Sequence, residues 1–241
     1  MIPLRDSVRT YTFPIVNIGL IGINTLVFVL EIRLSPAALE RLFANLGLVS
    51  AHLQLANPLA LLANPIVLVT FITYLFLHGG WLHYLSNIWT LYIFGDNVED
   101  RMGSARYLFF YLLIGALSGL LQALIAPQTW APLIGASGAI AGVLGAFFML
   151  YPRARVFTLI IIVIFPWFVN IPALVYLGVW FVLQLFSGIS TLSLPAAASA
   201  GGVAWWAHIG GFILGIVLYR FFIPPVHPAY QRHVLSNSDK E

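Results

Sequence analysis

Long apolar runs alternate with short polar interruptions along this chain, and the run lengths set the expected architecture. Runs of about 20 apolar residues recur, each long enough to cross roughly 30 Å of hydrocarbon at 1.5 Å per residue. The first spans Pro14 to Leu30 and stops at Glu31 and Arg33. Within it Asn17 and Asn24 share a face at i, i+7 and are expected to turn toward other helices. A second run covers Gly80 to Val98 and ends in the charged turn Glu99-Asp100-Arg101. The third covers Tyr107 to Ala126, the fourth Ser137 to Tyr151, and the sixth Val203 to Ile223. Between the first two, Arg33 to Leu77 is too interrupted by prolines to span and too apolar for a free loop. Short helices lying in the interface are expected there, forming a structured first outer loop. Val156 to Phe186 is apolar for about 31 residues but broken by Pro166 and Pro172, too long for one span and too short for two. Val156 to Phe168 is therefore assigned to the interface, Ile171 to Gly188 to the fifth span, and Ile189 to Gly202 to a loop. The expected fold is an all-α membrane protein, a bundle of six transmembrane helices with a short fourth helix at its centre. Residues 1–13 form a polar cap, 14–223 the six-span domain and 224–241 a polar tail.

Composition agrees with a lipid-facing chain. It is 61% hydrophobic and 8% charged, against roughly 25% charged in soluble domains. The lipid bilayer is thus the first expected partner. There are no cysteines, which excludes disulfides and thiolate chemistry. The net charge of +3 is spread over loops with no basic run, so nucleic acid is not an expected partner. Residues Met1 to Phe13 show neither a cleavable signal pattern nor a transit peptide. Six spans put both termini on one side, which then carries nine Lys and Arg, against Arg33 and Arg41 on the other. That asymmetry places both termini in the cytoplasm and the protein in a cytoplasmic (inner) membrane.

Polar residues inside the membrane are costly and point to function. Counting back from the charged ends at 1.5 Å per residue puts Ser137 roughly 24 Å up, Asn87 roughly 21 Å, His83 roughly 27 Å and His208 roughly 18 Å. All four fall in the outer half of the bilayer, and His83 and Asn87 share a face at i, i+4. The fourth helix covers only about 22 Å, so the chain before Ser137 must enter the membrane as non-helical backbone lining a cavity. Ser137 then sits at a helix N-terminus, where free N–H groups favour developing negative charge. On the sixth span His208, Gly211 and Gly215 share a face. Small residues at that spacing allow close approach to Gly138, Gly142 and Gly145, which would bring His208 to Ser137.

A serine hydroxyl needs a base, and His208 is the only histidine on the last three spans. The Asn87 amide, the His83 ring and the Ser137 backbone N–H are candidate donors for an oxyanion. Asp96, Glu99 and Asp100 lie at the wrong depth to serve as a third member. A Ser137–His208 dyad is expected, with the histidine oriented by packing. No HExxH occurs and no acidic residue is expected at this depth, so neither metal nor cofactor is expected.

Four stretches, HGGWLHYLSN (His78 to Asn87), FGDNVEDRMG (Phe94 to Gly103), GASGAIAG (Gly135 to Gly142) and AHIGGFILG (Ala207 to Gly215), together resemble the rhomboid family of intramembrane serine proteases. YPRARV (Tyr151 to Val156) is similar to its prokaryotic branch. The resemblance implies that Ser137 is the nucleophile, His208 the base, and His83 and Asn87 parts of the oxyanion hole. It implies a structural role for Glu99 and Arg101, which match an ExR motif; His78 is read as buttressing the first outer loop. It further implies single-span membrane proteins as substrates, cut in or near the membrane after lateral access between spans 2 and 5. Two departures stand out. Ala141 replaces a tyrosine that stacks on the histidine in some members, leaving Trp205 or Trp206 to orient it, and the first outer loop lacks a Trp-Arg pair. The alternatives are a non-catalytic relative that binds membrane segments for quality control and a small transporter. Retention of both Ser137 and His208 argues against the first; the lack of intramembrane carboxylates and of inverted repeats argues against the second.

Overall fold

A computed structural model describes residues 1–53, 65–192 and 203–225. Residues 226–241 of the expected tail and 193–202 of the expected loop lie outside these; Ile189 to Leu192, expected in that loop, are helical. In chain order the elements are strand β1 (Ile2–Asp6), helices α1 (Ile15–Glu31) and α2 (Pro36–Leu46), a 3-10 turn (Ser50–Leu53), α3 (Pro65–Thr73) and a second 3-10 turn (Tyr74–Phe76). They continue with α4 (Trp81–Met102), α5 (Ser104–Ile125), α6 (Ser137–Leu150), strands β2 (Arg155–Ile162) and β3 (Phe165–Pro172), and helices α7 (Ala173–Leu192) and α8 (Trp205–Phe222).

The charged turn after the second apolar run belongs to the last turns of α4, and Glu99 within it is buried. Its carboxylate accepts from the Val16 and Asn17 backbone N–H groups at 3.0 and 2.7 Å and from Ser104 Oγ at 2.6 Å. Glu99 thus caps α1 from another helix, placing negative charge at the positive end of the α1 dipole and satisfying first-turn donors. Asp100 beside it accepts from the Thr12 N–H at 2.8 Å and holds the approach to α1. Asn17 and Asn24 are both buried. The Asn17 amide donates to the Leu91 carbonyl at 3.1 Å and accepts from the Tyr107 hydroxyl at 2.8 Å, tying α1 to α4 and α5.

The first connection is pinned to the loop that precedes α6. Leu48 and Leu133 exchange both backbone hydrogen bonds, at 3.0 and 2.8 Å, and the Ala51 N–H donates to the Thr129 carbonyl at 3.1 Å. The α3 end and α4 meet at an 82° bend. The His78 N–H in that bend donates to both carboxylate oxygens of Glu31 at 3.2 Å. The expectation that Glu31 simply ends the first span, with no acid at the depth of the histidines, is corrected here. Glu31 is buried because the broken backbone at the bend leaves a donor that needs an acceptor.

Helix α6 is the hub. Its 14 residues reach about 21 Å, and every residue from Gly138 to Phe147 is buried. A Cβ on Gly138 or Gly142 would run into Ser118 or Ile114 of α5. On the other side, a Cβ on Gly211 or Gly215 of α8 would run into the carbonyl oxygens of Gly138 or Gly142. The missing side chains let both helices reach the α6 backbone.

The stretch Val156 to Phe168, expected in the interface of an all-α fold, lies in a β-hairpin. Strands β1, β2 and β3 form an antiparallel sheet in that order, with Arg5, Phe157 and Asn170 in register across it. Length and prolines alone set the expectation for this segment. Its β-branched run (Val156, Thr158, Ile160 to Ile164) and its prolines favour extended chain on an edge over helix.

Among the described residues three helices are long and apolar enough to cross a membrane: α5, residues Ala173–Thr191 of α7, and α8. The bent pair Ile66–Phe76 and Trp81–Met102 makes a fourth if taken as one span; α1 and α6 are shorter apolar helices. The protein is thus a mostly helical membrane chain that also carries a small sheet.

Candidate functional site

Ser137 opens α6, and nothing caps it: its N-cap, Ala136, offers no side-chain acceptor. The first-turn N–H groups of Ser137, Gly138 and Ala139 precede the first helical bond, from Ile140 to Ala136 at 3.0 Å, and point out of the helix end. The chain reaches this end through Gly135, whose φ of 115° disfavours a side chain and whose N–H donates to the Tyr74 carbonyl at 2.8 Å. A Cβ there would strike the His83 ring. Gly135 therefore serves twice, turning the backbone and admitting His83 to the mouth of the site.

Ser137 Oγ lies 2.7 Å from His208 Nε2, and His208 Nδ1 lies 2.7 Å from Gln184 Oε1 of α7. The amide oxygen can only accept, so Nδ1 carries the proton and Nε2 is left bare to accept from the serine. Trp180 of α7 lies flat beside the His208 ring at 6.3 Å between centroids, and Trp205 meets it edge-on at 6.1 Å. The α8 start is fixed in turn by the Ala207 N–H, which donates to Gln122 of α5 at 3.2 Å. Orientation by packing alone is therefore corrected. Of the two tryptophans considered, Trp205 touches the ring, but the direct hold is the Gln184 hydrogen bond and the broad contact is Trp180. With Ala141 buried where a stacking tyrosine was considered, α8 closes on α6, and the flat ring comes from α7 instead.

Gln184 escaped the sequence reading. The signal was present: it is a polar side chain inside an apolar run, which the cost of burying an amide makes informative.

His83 and Asn87 both lie on α4, and the His83 ring reaches Gly135 beside Ser137. His83 Nδ1 accepts from the Gly79 N–H at 3.3 Å, which leaves its Nε2 side facing Gly135. The Asn87 amide donates one N–H to the His83 carbonyl at 2.8 Å and has a second to offer. His78 is buried, with the rings of Phe28, Tyr84 and His83 around it at 6.3, 5.6 and 5.3 Å. It contributes to the bend through its backbone. Glu99 and Arg101 lie at the far end of α4, away from Ser137.

The fold and this site thus define a mostly helical membrane protein in which a partly buried serine hydroxyl at a helix N-terminus is hydrogen-bonded to an imidazole nitrogen. The chain matches the Rhomboid domain over residues 66–225 and belongs to the rhomboid family. It is 29% identical over 153 residues to Rhomboid protein 1, mitochondrial, of Saccharomyces cerevisiae, covering 61% of this chain and 40% of that protein. It is 26% identical over 223 residues to the Presenilin-associated rhomboid-like protein, mitochondrial, of Mus musculus, covering 88% of this chain and 48% of that one. Rhomboid-like protein 11, chloroplastic, of Arabidopsis thaliana is 29% identical over 154 residues, covering 61% of this chain and 50% of that protein. The chain thus spans half or less of the length of these relatives.

The expected location in a cytoplasmic membrane with cytoplasmic termini is overturned by these comparisons. The relatives named above are mitochondrial and chloroplastic proteins. Arginine asymmetry orients a chain across a membrane but carries no information on which membrane it is.

Proposed function

We propose that the chain is an intramembrane serine endopeptidase acting on single-span membrane proteins, with Ser137 as nucleophile and His208 as general base. The observation that supports this most is the hydrogen-bonded line from Gln184 through His208 to Ser137. His208 Nε2 takes the hydroxyl proton as Ser137 Oγ attacks the scissile carbonyl carbon. The resulting oxyanion is received by the Ser137 backbone N–H, with the second Asn87 N–H and the His83 ring as further donors. Collapse breaks the C–N bond, and the imidazolium gives its proton to the leaving amine. Water then attacks the acyl-enzyme, His208 takes a proton from it, and Ser137 is released with that proton. The substrate segment approaches sideways between α4 and α7, as in the family reading. Gln184 is neutral, so it holds the ring in one tautomer without offering a counter-charge to the imidazolium.

A fluorophosphonate probe tests the nucleophile directly. Incubation with detergent-solubilised protein should add the probe's phosphonyl mass to the peptide containing Ser137. His208→Ala should abolish the adduct while the unfolding midpoint is kept. An adduct on another residue, or undiminished labelling in folded His208→Ala, contradicts the reading.

A further inference from the structure

The N-terminal strand and the hairpin form a second polar feature, at the opposite end of α4 from Ser137. A cleft of about 400 Å³ opens there, lined by Arg5, Ser7, Arg9, Arg155 and Asn170 among others. Three arginines line it, and among the described residues none of them forms an ion pair. The Arg5 guanidinium lies over the Phe157 ring at 5.4 Å and that of Arg9 over Tyr11 at 5.7 Å. The Arg155 N–H is tied to Ser7 Oγ at 2.9 Å, which fixes the backbone while the side chain stays exposed. The one acid in the cleft, Asp6, is already occupied by the Val8 N–H at 2.6 Å and by Asn97 at 3.0 Å. Burial raises its carboxyl above the ordinary range, against the pull of those two hydrogen bonds. Three arginines beside a single carboxylate that is already engaged leave a net positive cleft suited to a bound anion, and planar guanidinium forks match phosphate oxygens.

The sheet shows which phosphate. Side chains alternate across a strand, so Arg155, Phe157, Leu159 and Ile161 share the outer face of β2 while Val156 and Thr158 are buried beneath. Asn170 and Phe168 continue that outer face on β3, where Phe168 stacks on Phe157 at 5.9 Å. The face is thus basic and polar at the Arg155 end and apolar toward Ile161. Its direction is fixed by two contacts. Asp6 meets Asn97 near the charged end of α4, and the Pro3 carbonyl accepts from the Trp89 indole at 2.6 Å, eight residues back along α4 and about 12 Å deeper. The apolar end therefore runs from the charged rim toward the bilayer. A soluble phosphate needs no such track; a lipid with a phosphate at the rim and chains below it fits both ends.

We infer that this cleft binds the phosphate of an anionic phospholipid headgroup, with the lipid's chains laid along the outer face of the β2–β3 hairpin. The test is the unfolding midpoint of the full chain in a neutral detergent, titrated with short-chain phosphatidylglycerol, short-chain phosphatidylcholine or inorganic phosphate at constant ionic strength. Phosphatidylglycerol should raise the midpoint saturably, and the other two should not. The triple variant Arg5→Gln/Arg9→Gln/Arg155→Gln should lose the response. Arg155→Gln alone, an exposed change that leaves the backbone bond to Ser7, should weaken apparent affinity about tenfold, as expected for one charge-assisted hydrogen bond. If the triple variant does not fold, the single variant carries the test. An equal rise with inorganic phosphate overturns the lipid in favour of free phosphate. An equal rise with phosphatidylcholine, no rise at all, or an unchanged response in Arg155→Gln overturns the site.

Discussion

A serine hydroxyl in an apolar interior does nothing until its proton has somewhere to go. Here the accepting nitrogen is defined by what the other nitrogen does. Gln184 accepts a hydrogen bond from the Nδ1–H of His208, so Nε2 faces Ser137 bare. Gln184→Leu keeps most of the volume but frees the imidazole to change tautomer or swing. We expect kcat for a single-span reporter to fall about 100-fold, the loss associated with misplaced catalytic groups. KM should stay within about twofold, since Gln184 touches the ring and not the substrate. Unchanged kcat in folded protein would remove Gln184 from this role. That Ser137 and His208 meet was legible in the sequence because motif, depth and spacing agreed. Gln184 was not, because depth was counted from arginines at the charged ends of helices. Helix α7 has none there; its charged end is a β-strand, and the nearest arginine, Arg155, lies a whole hairpin away.

Two elements carry the site between them. Helix α6 presents Ser137 and α8 presents His208, and the distance between these side chains is set by glycine contacts along the helices. Gly211 and Gly215 lie against the Gly138 and Gly142 carbonyls with no room for a methyl group. Gly215→Ala should therefore lower the unfolding midpoint in detergent, at a cost of about 1–3 kcal/mol, even though alanine is the better helix former. Gly22→Ala on α1 is the control. Nothing lies within 4 Å of that position, so the substitution should be neutral or slightly stabilising. A stabilised Gly215→Ala protein would contradict the close approach of α6 and α8. The spacing of these glycines could be read from sequence because close packing needs small residues at fixed offsets. The hairpin could not be read from run length alone. An apolar run reports burial or lipid contact, and its β-branched content decides between helix and strand. The cap on α1 was hidden for another reason: Glu99 stands in a turn of charges, and only the fold brings it to the Val16 and Asn17 donors.

At the scale of the whole molecule the chain is polarised end to end. One end holds Ser137, His208, the pinned first connection and the Glu31-held bend. The other holds Glu99, Asp100, the sheet and its arginines. Helix α6, short as it is, separates the loop containing Trp130 from the turn containing Arg153. The absence of cysteine makes the separation testable with single substitutions. In sealed vesicles, Trp130→Cys and Arg153→Cys should react with a membrane-impermeant maleimide from opposite sides. Labelling of both from one side would refute α6 as a crossing and, with it, the six-span reading. The central claim remains chemical, and its most direct measurement is cleavage of a single-span reporter protein in reconstituted vesicles by wild type, Ser137→Ala and His208→Ala. Wild type should cut the reporter, and each variant should lose about a thousandfold or more in rate with its unfolding midpoint retained. Cleavage persisting at the wild-type rate in either folded variant would contradict the account.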